Sequence, residues 1–213
     1  MSLRLFAISS RRPSRLSGHG LTLRFPEHRD YPQWQALRQA SAGFLIPWEP
    51  RWPKDDLTRA GYRRRLRRYR QDADQGSSFT WLITDSVDGT LYGGITLSSI
   101  RLGVSRSAQI GYWMGEQHAG RGIMKKALSI VLDTAFSTMA LERVEAACLP
   151  ENRRSYRLLE AAGFRKEGIA RSYLEIDGER RDHALYAILR SDFRARRMIL
   201  PAPVAENRPS LAG

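Results

Sequence analysis

Cysteine is nearly absent from this sequence. Cys148 is the single cysteine among 213 residues, which excludes an intrachain disulfide scaffold and a cysteine-rich zinc site within it. Long apolar runs are also missing, since none approaches the roughly 20 residues that a membrane-spanning helix needs. We therefore expect no membrane span, and a reducing cytoplasm is the compartment that fits the composition best.

The sequence also lacks the residue patterns of a metal site and of the common nucleotide-binding loops. The chain has four histidines without clustering at metal-ligand spacing, so no metal is predicted: His19, His28, His118 and His183. The glycines form neither the Gly-Lys-Ser/Thr ending of a nucleoside triphosphatase loop nor the GxGxxG pattern of dinucleotide-binding folds. A phosphate-bearing ligand of this chain would have to be of another kind.

Acidic residues are outnumbered, and the formal net charge is +13. More than half of it lies in Arg59–Arg70, "RAGYRRRLRRYR", where seven arginines and no acid occupy a predicted helix. Three interpretations of this helix remain open. It can be a solvated face, a contact with RNA or a ribosomal surface, or a contact with an acidic substrate.

The pattern of apolar and polar residues predicts one domain between two tails. Residues 1–19 are predicted as a basic N-terminal arm, with an edge strand and a mitochondrial transit peptide as alternatives for its acid-free start. Residues 20–192 form the domain, and residues 193–213 are predicted as a helix end and a disordered tail. Strand and helix signals follow the order β-α-α-β-β-β-α-β-α-β-β. This order predicts an α+β fold with a mixed, mostly antiparallel twisted sheet of about seven strands and four main helices.

A glycine-rich turn stands between a predicted strand and a predicted helix in Gly111–Met124, "GYWMGEQHAGRGIM". Amides at such a junction and the positive end of the helix dipole converge on one point, where a phosphate binds well. Glycine also lets a ligand approach the backbone closely, although an isolated Gly-x-Gly can serve a tight turn alone. Candidate amide donors are those of Ala119, Gly120, Arg121, Gly122 and Ile123, with the side chains of Arg121, Lys125 and Lys126 adding positive charge.

Two motifs carry a resemblance to a known family. "QHAGRG" (Gln117–Gly122) matches the QxxGxG signature of the GNAT superfamily of acetyl-coenzyme A-dependent N-acetyltransferases, and "NRRSYRLLEAAGF" (Asn152–Phe164) resembles its NxxSxxLxxxxGF motif. The stretches "GYWMGEQHAGRGIMKKAL", "FLIPWEP" and "DGERRDHALYAIL" resemble the branch that acetylates the N-terminal alanine of ribosomal proteins. The resemblance runs from about Gly20 to Asp192. It implies a single GNAT-like domain with splayed central strands and acetyl-coenzyme A (acetyl-CoA) as acetyl donor.

The resemblance also implies where the donor binds. Tyr112, Trp113 and Met114 would line the gap between the splayed strands, and an amide near Met114 would stabilise the oxyanion. Asn152 would cap a helix and bind the pantetheine arm, and Ser155 would also contact the cofactor. The pyrophosphate would be held by the turn residues Gln117, His118, Ala119, Gly120, Arg121, Gly122 and Ile123.

Two hydroxyls compete as the acid that protonates the departing thiolate. The resemblance places Ser155 in this role, while other branches of the family often use a tyrosine in this helix, which makes Tyr156 the competitor. A buried structural hydroxyl is the alternative for both residues. Cys148 is expected near the thiol but without a nucleophilic role, because the family transfers acetyl directly.

The acceptor amine must lose a proton before it attacks. An α-amino group with a reference pKa near 8 is partly neutral at pH 7, whereas a lysine near 10.4 is not, so a weak or water-mediated base suffices for an N-terminal acceptor. Glu49 and Glu175 are the candidates for acceptor binding or proton removal, with Asp182 and His183 behind them.

These observations predict direct acetyl transfer, through a ternary complex, to a primary amine, with the N-terminal amine of a ribosomal protein as the leading acceptor. A small-molecule amine or a lysine side chain is the alternative acceptor. A ribosome- or RNA-binding protein with a relic transferase scaffold is the alternative of another class. Monomer and dimer are both open.

Overall fold

The structure, a computed structural model, describes residues 13–199. In this part of the chain one sheet is built from eight strands: β1 Arg15–Gly18, β2 Leu21–Arg24, β3 Phe79–Asp85, β4 Leu91–Arg101, β5 Ser107–Met114, β6 Arg143–Cys148, β7 Arg165–Ile176 and β8 Glu179–Leu189. Six α-helices accompany it: α1 Tyr31–Ala40, α2 Ala42–Leu45, α3 Arg59–Asp74, α4 Ile123–Asp133, α5 Arg153–Ala162 and α6 Arg190–Ile199. The predicted α+β class with a mixed sheet is confirmed.

The strand order is β1-β2-β3-β4-β5-β6-β8-β7. Neighbouring strands are antiparallel except β5 and β6, which run parallel because α4 connects them as a crossover. The parallel pairing joins only Ser107–Gln109 to Arg143–Glu145. Beyond that point β5 stays with β4 and β6 stays with β8, so the two central strands splay apart as the resemblance implied.

Part of the segment assigned to the N-terminal arm belongs to the sheet. β1 pairs with β2, with Leu16 opposite Leu23, and Trp81 Nε1 donates a hydrogen bond to the carbonyl of Pro13 at 2.6 Å. Leu16 also packs against the core, which explains why these residues form the edge strand that was the alternative to an arm. The sheet therefore has eight strands rather than about seven. The remainder of the arm, residues 1–12, lies outside the described residues.

The C-terminal boundary at residue 192 falls inside α6. Phe193 is buried, and its ring centroid lies 5.4 Å from that of Phe136, so the helix packs on the domain. The tail predicted to be disordered, from Pro201 onward, lies outside the described residues.

Apolar side chains pack on both faces of the sheet. Along β3, Trp81 and Ile83 join the larger cluster, which contains α4, whereas Leu82 joins a smaller cluster with Trp34 of α1 and Leu66 of α3. Successive strand residues point to opposite faces. The sheet is therefore covered by α4 on one face and by α1 and α3 on the other.

Candidate active site

A cavity of about 910 Å³ lies where β5 and β6 separate. Within the described chain, Ile110–Met114 of β5 pair with β4 but have no strand partner on the β6 side. One edge of β5 therefore presents unpaired backbone groups to the cavity. At Gly111 no atom lies within 4 Å of the position that a Cβ would take, so this edge is open to a ligand.

The predicted glycine cradle lies at one end of the cavity. Gly120 and Gly122 adopt the left-handed conformation, with φ of 77° and 73°, and a Cβ at either position would meet no atom within 4 Å. Gly122 is the N-cap of α4, and no side chain caps that helix, so its first amides have no partner inside the helix. Both glycines line the cavity together with Ile123. The chain thus leaves room and free donors for an anionic group.

Some of the other residues of the glycine turn line the cavity, and the rest lie at the surface. Ala119 and His118 line the cavity, but Gln117 and Arg121 do not. The Ala119 amide donates to the Glu116 carbonyl at 3.0 Å, so the prediction that it is a free donor to a phosphate is wrong. The Gln117 side chain lies 3.1 Å from His118 Nε2 and the His118 ring packs edge-on against Tyr92. Burial lowers the pKa of His118, so this imidazole is neutral near pH 7 and shapes the turn rather than adding charge.

A hydroxyl pair lies in the middle of the cavity. Ser155 Oγ and the Tyr112 hydroxyl are 2.9 Å apart, and Asn152 Oδ1 accepts a hydrogen bond from the Ser155 amide at 3.0 Å. Asn152 therefore caps α5 while its side chain also lines the cavity. Burial raises the pKa of Tyr112, which keeps its hydroxyl protonated. The Tyr112–Ser155 bond was not indicated by the sequence.

Cys148 and Tyr156 lie around a second, smaller cavity. This cavity of about 210 Å³ is lined by Tyr156, Cys148 and Tyr186, and Tyr156 does not line the larger one. The structure therefore does not bring Tyr156 together with Ser155 in the main cavity. Burial raises the pKa of the Cys148 thiol, so it is a poor nucleophile.

Glu49 lines the end of the cavity that adjoins the turn between β7 and β8. Arg38 donates to both Glu49 carboxylate oxygens, at 2.9 and 2.7 Å, and Trp52 Nε1 donates to one of them at 2.8 Å. The Arg38 guanidinium lies 4.1 Å from the Trp52 ring centroid and 5.1 Å from that of Trp113. Trp113 itself lines the cavity. Glu49 is thus held as a carboxylate at a fixed position in the cavity wall.

Glu175 reaches the same end of the cavity from β7. The loop that carries Glu49 contacts the β7–β8 turn, because the Asp177 amide donates to the Glu49 carbonyl at 3.1 Å and Arg51 donates to the Asp177 carbonyl at 2.9 Å. A Cβ at Gly178 would lie 2.4 Å from the Arg51 guanidinium, so glycine permits this approach. The two candidate carboxylates therefore share one end of the cavity.

Asp182 and His183 take different positions. Asp182 Oδ1 accepts a hydrogen bond from the Ser172 amide at 2.8 Å and does not line the cavity, whereas His183 does. Among the described residues no group of three or more His, Cys, Asp or Glu side chains could hold a metal ion. Residues 13–199 also contain no helix that is both long and apolar enough to cross a membrane.

A splayed sheet with an anion-binding helix start at one end of the gap defines an acyltransferase that takes its acyl group from a coenzyme A thioester. The sequence model of the acetyltransferase (GNAT) domain matches residues 20–165. The chain belongs to this family and is an acetyl-CoA-dependent N-acetyltransferase.

Relatives named as N-acetyltransferases match most of the chain. The probable N-acetyltransferase YjcK of Bacillus subtilis is 34% identical over 83% of this chain and 98% of its own length. The ribosomal protein uS5-alanine N-acetyltransferase of Escherichia coli is 32% identical over 84% and 92%. The structure of Mycobacterium smegmatis RimJ in complex with CoA-disulfide has a TM-score of 0.78 and 34% identity, covering 84% of this chain and 88% of that one.

Replacing Gly122 with alanine is expected to weaken coenzyme A binding about tenfold or more, as measured by calorimetry. The added Cβ would project into the open cradle and displace the phosphate from amides whose charge-assisted hydrogen bonds are each worth about 1.5–3 kcal/mol.

Gly89→Ala is the matched control, because Gly89 has φ of 75° and open surroundings but lies in the β3–β4 turn, away from the cavity. Both variants should lose about 1–2 kcal/mol of folding stability from left-handed strain. Equal coenzyme A affinity in the two variants would contradict the assignment of the cradle.

Proposed function

We propose that this N-acetyltransferase acetylates the N-terminal amine of a protein, with a ribosomal protein as the substrate class. The observation that supports this acceptor most directly is the pair of carboxylates, Glu49 and Glu175, which line the cavity on two segments that contact each other. Two carboxylates favour a cationic group such as an α-ammonium. The E. coli relative named as a uS5-alanine N-acetyltransferase supports the same acceptor.

In this proposal Glu49 binds the acceptor rather than removing its proton. Its oxygens already accept hydrogen bonds from Arg38 and Trp52, which occupy the lone pairs that proton removal would need and fix the carboxylate in place. Glu175 is exposed and has no ion pair or hydrogen bond among the described residues. Glu175 is therefore free to reorient toward an incoming amine and remains the second candidate for contact with the acceptor.

Ser155 is the proposed acid for the departing thiolate. Its hydroxyl lines the cavity, and the hydrogen bond to the protonated hydroxyl of Tyr112 fixes its orientation. Tyr156 is less well supported because it lines the other cavity. The amide near Met114 remains the proposed oxyanion donor, and Trp113 and Asn152 remain proposed contacts of the pantetheine arm.

The acceptor is tested by mass spectrometry of products formed from peptides that begin with alanine. We expect acetylation at the α-amine and none at an internal lysine of the same peptide, since a lysine amine needs roughly 3 kcal/mol more to deprotonate at a given pH. A peptide with a blocked N-terminus is the matched control. Preferential acetylation of that peptide's lysine, or of a polyamine, would contradict an N-terminal acceptor.

A contact of α3 with RNA or a ribosomal surface also stays a proposal. Two of its seven arginines form ion pairs with acids that precede the helix, Arg64 with Asp55 and Arg65 with Asp56. The exposed side chains of Arg63, Arg67 and Arg70 supply the positive charge that such a contact would use.

A further inference from the structure

His183 presents a buried imidazole in the wall of the cavity. The residue is 2% exposed, and its Nδ1 lies 2.9 Å from the Arg181 carbonyl oxygen. A carbonyl oxygen can only accept a hydrogen bond, so Nδ1 carries the proton. In the neutral ring, Nε2 then has a lone pair, and no residue in the described part of the chain occupies it.

The orientation of this ring is fixed from β7. The pairing of β7 with β8 shifts register between Ala170 and Leu174, and in this bulge Ser172 takes a positive φ of 46° while Asp182 accepts its amide hydrogen bond. The bulge places the Tyr173 ring edge-on against His183 at 5.8 Å between centroids. Bulges often re-aim a side chain in this manner.

On β8, His183 lies beside the gap between β5 and β6. Its neighbour Ala184 pairs with Cys148, the last residue of β6. Tyr173 is in ring contact with His183, and seven other charged or titratable side chains line the same cavity: Glu49 from the loop after α2, Tyr112 from β5, His118 from the glycine turn, Lys125 from α4, Cys148 from β6, Arg154 from α5 and Glu175 from β7. An ammonium group held by the two carboxylates would thus bind in the cavity that the imidazole lines.

We propose that His183 Nε2 accepts a proton from the acceptor amine, directly or through one water molecule. This inference rests on the proposed acetyl transfer but not on the identity of the acceptor. The ammonium gives one proton to Nε2, and the neutral amine attacks the thioester carbonyl. The C–N bond forms, the C–S bond breaks, and the surplus proton on nitrogen passes to the thiolate by way of Ser155. His183 then releases its proton to solvent.

His183→Asn tests this step, because a side-chain amide can still donate to the Arg181 carbonyl but has no basic nitrogen at Nε2. With an α-amine acceptor, kcat/KM is expected to fall about 50-fold at pH 6.5. This loss is smaller than enzymes usually show when a general base is removed, because part of the amine is already neutral at this pH. The loss should shrink to about threefold above pH 9, where the amine is neutral in solution. A loss of equal size at every pH indicates a structural role and would overturn the proposal.

A second measurement does not depend on activity. In nitrogen-15 NMR of the folded protein, the neutral His183 ring should be the Nδ1–H tautomer, with an unprotonated Nε2. An Nε2–H tautomer or a permanently charged ring would refute the assignment. If a polyamine is acetylated and peptides are not, the proposal of an N-terminal acceptor is wrong but the proposal for His183 is not affected. The same pH series, measured with the polyamine as acceptor, then tests His183.

Discussion

Ser155→Ala is expected to lower kcat about 100-fold while leaving the affinity for coenzyme A unchanged. The alanine removes the hydroxyl that we propose as the proton donor to the thiolate, and general acids contribute roughly 10²–10⁴-fold. We expect the low end of this range because a thiolate with a pKa near 8.5 is a fair leaving group without protonation. The Asn152 cap should survive, since it uses the backbone amide of residue 155. Steady-state kinetics and calorimetry measure the two quantities.

Two tyrosine variants serve as controls for Ser155. Tyr112→Phe should lower kcat about tenfold, because it removes only the partner hydroxyl at 2.9 Å. Tyr156→Phe should leave kcat within about twofold, because Tyr156 lines the separate cavity. A large loss in Tyr156→Phe together with a small loss in Ser155→Ala would reverse the assignment of the acid.

Arg38→Met is expected to destabilise the fold by about 3–4 kcal/mol. Arg38 is 5% exposed, binds Glu49 through both oxygens and lies 3.9 Å from the Asp56 carboxylate. Removing one partner of a buried ion pair leaves uncompensated charge, which typically costs about 3–5 kcal/mol. The variant also loses the cation–π contact with Trp52. Urea denaturation of both proteins gives the difference in free energy of unfolding.

Arg64→Met is the matched control for Arg38. Arg64 pairs with Asp55, but both side chains are about half exposed, and such pairs contribute about 0–1 kcal/mol. Adding Glu49→Gln to Arg38→Met should recover at least about 1 kcal/mol, because it removes the stranded charge. If Arg38→Met costs no more than Arg64→Met, the Arg38–Glu49 pair does not stabilise the cavity wall.

The donor end of the site could be read from the sequence because it depends on local geometry. A strand, a glycine turn and a helix start are contiguous in the chain, and the cradle of Gly120 and Gly122 needs only their backbone conformation. The Asn152 cap and the Gly163 end of α5 are local in the same sense. These elements were predicted within one or two residues of their observed bounds.

The acceptor end depends on contacts between distant residues, and there the sequence indicated less. Nothing in the pattern of α1 shows that Arg38 would reach Glu49, since the ion pair requires the loop after α2 to fold back toward α1. There the Arg38 guanidinium lies near three tryptophan rings. The contact between Tyr112 and Ser155 likewise spans 43 residues. The resemblance implied that Tyr112 lines the gap, but only tertiary packing shows which hydroxyl it meets.

For a different reason, the sequence did not decide whether the residues of β1 form an edge strand or part of an arm. Its four residues, "RLSG", include a single large apolar side chain, so periodicity could not separate a strand from an arm. Leu16 packs against the core and Trp81 binds the Pro13 carbonyl, and both contacts arise only when the sheet has formed.

The two ends of the cavity differ in what mutation can change. The donor end is built from backbone amides and an open strand edge, which persist through most side-chain substitutions. The proposed acceptor contacts are side chains on two segments, the loop carrying Glu49 and the β7–β8 hairpin carrying Glu175. Such a division lets an enzyme lineage acquire new amine substrates by point mutation in exposed loops while its use of the acetyl donor is inherited unchanged.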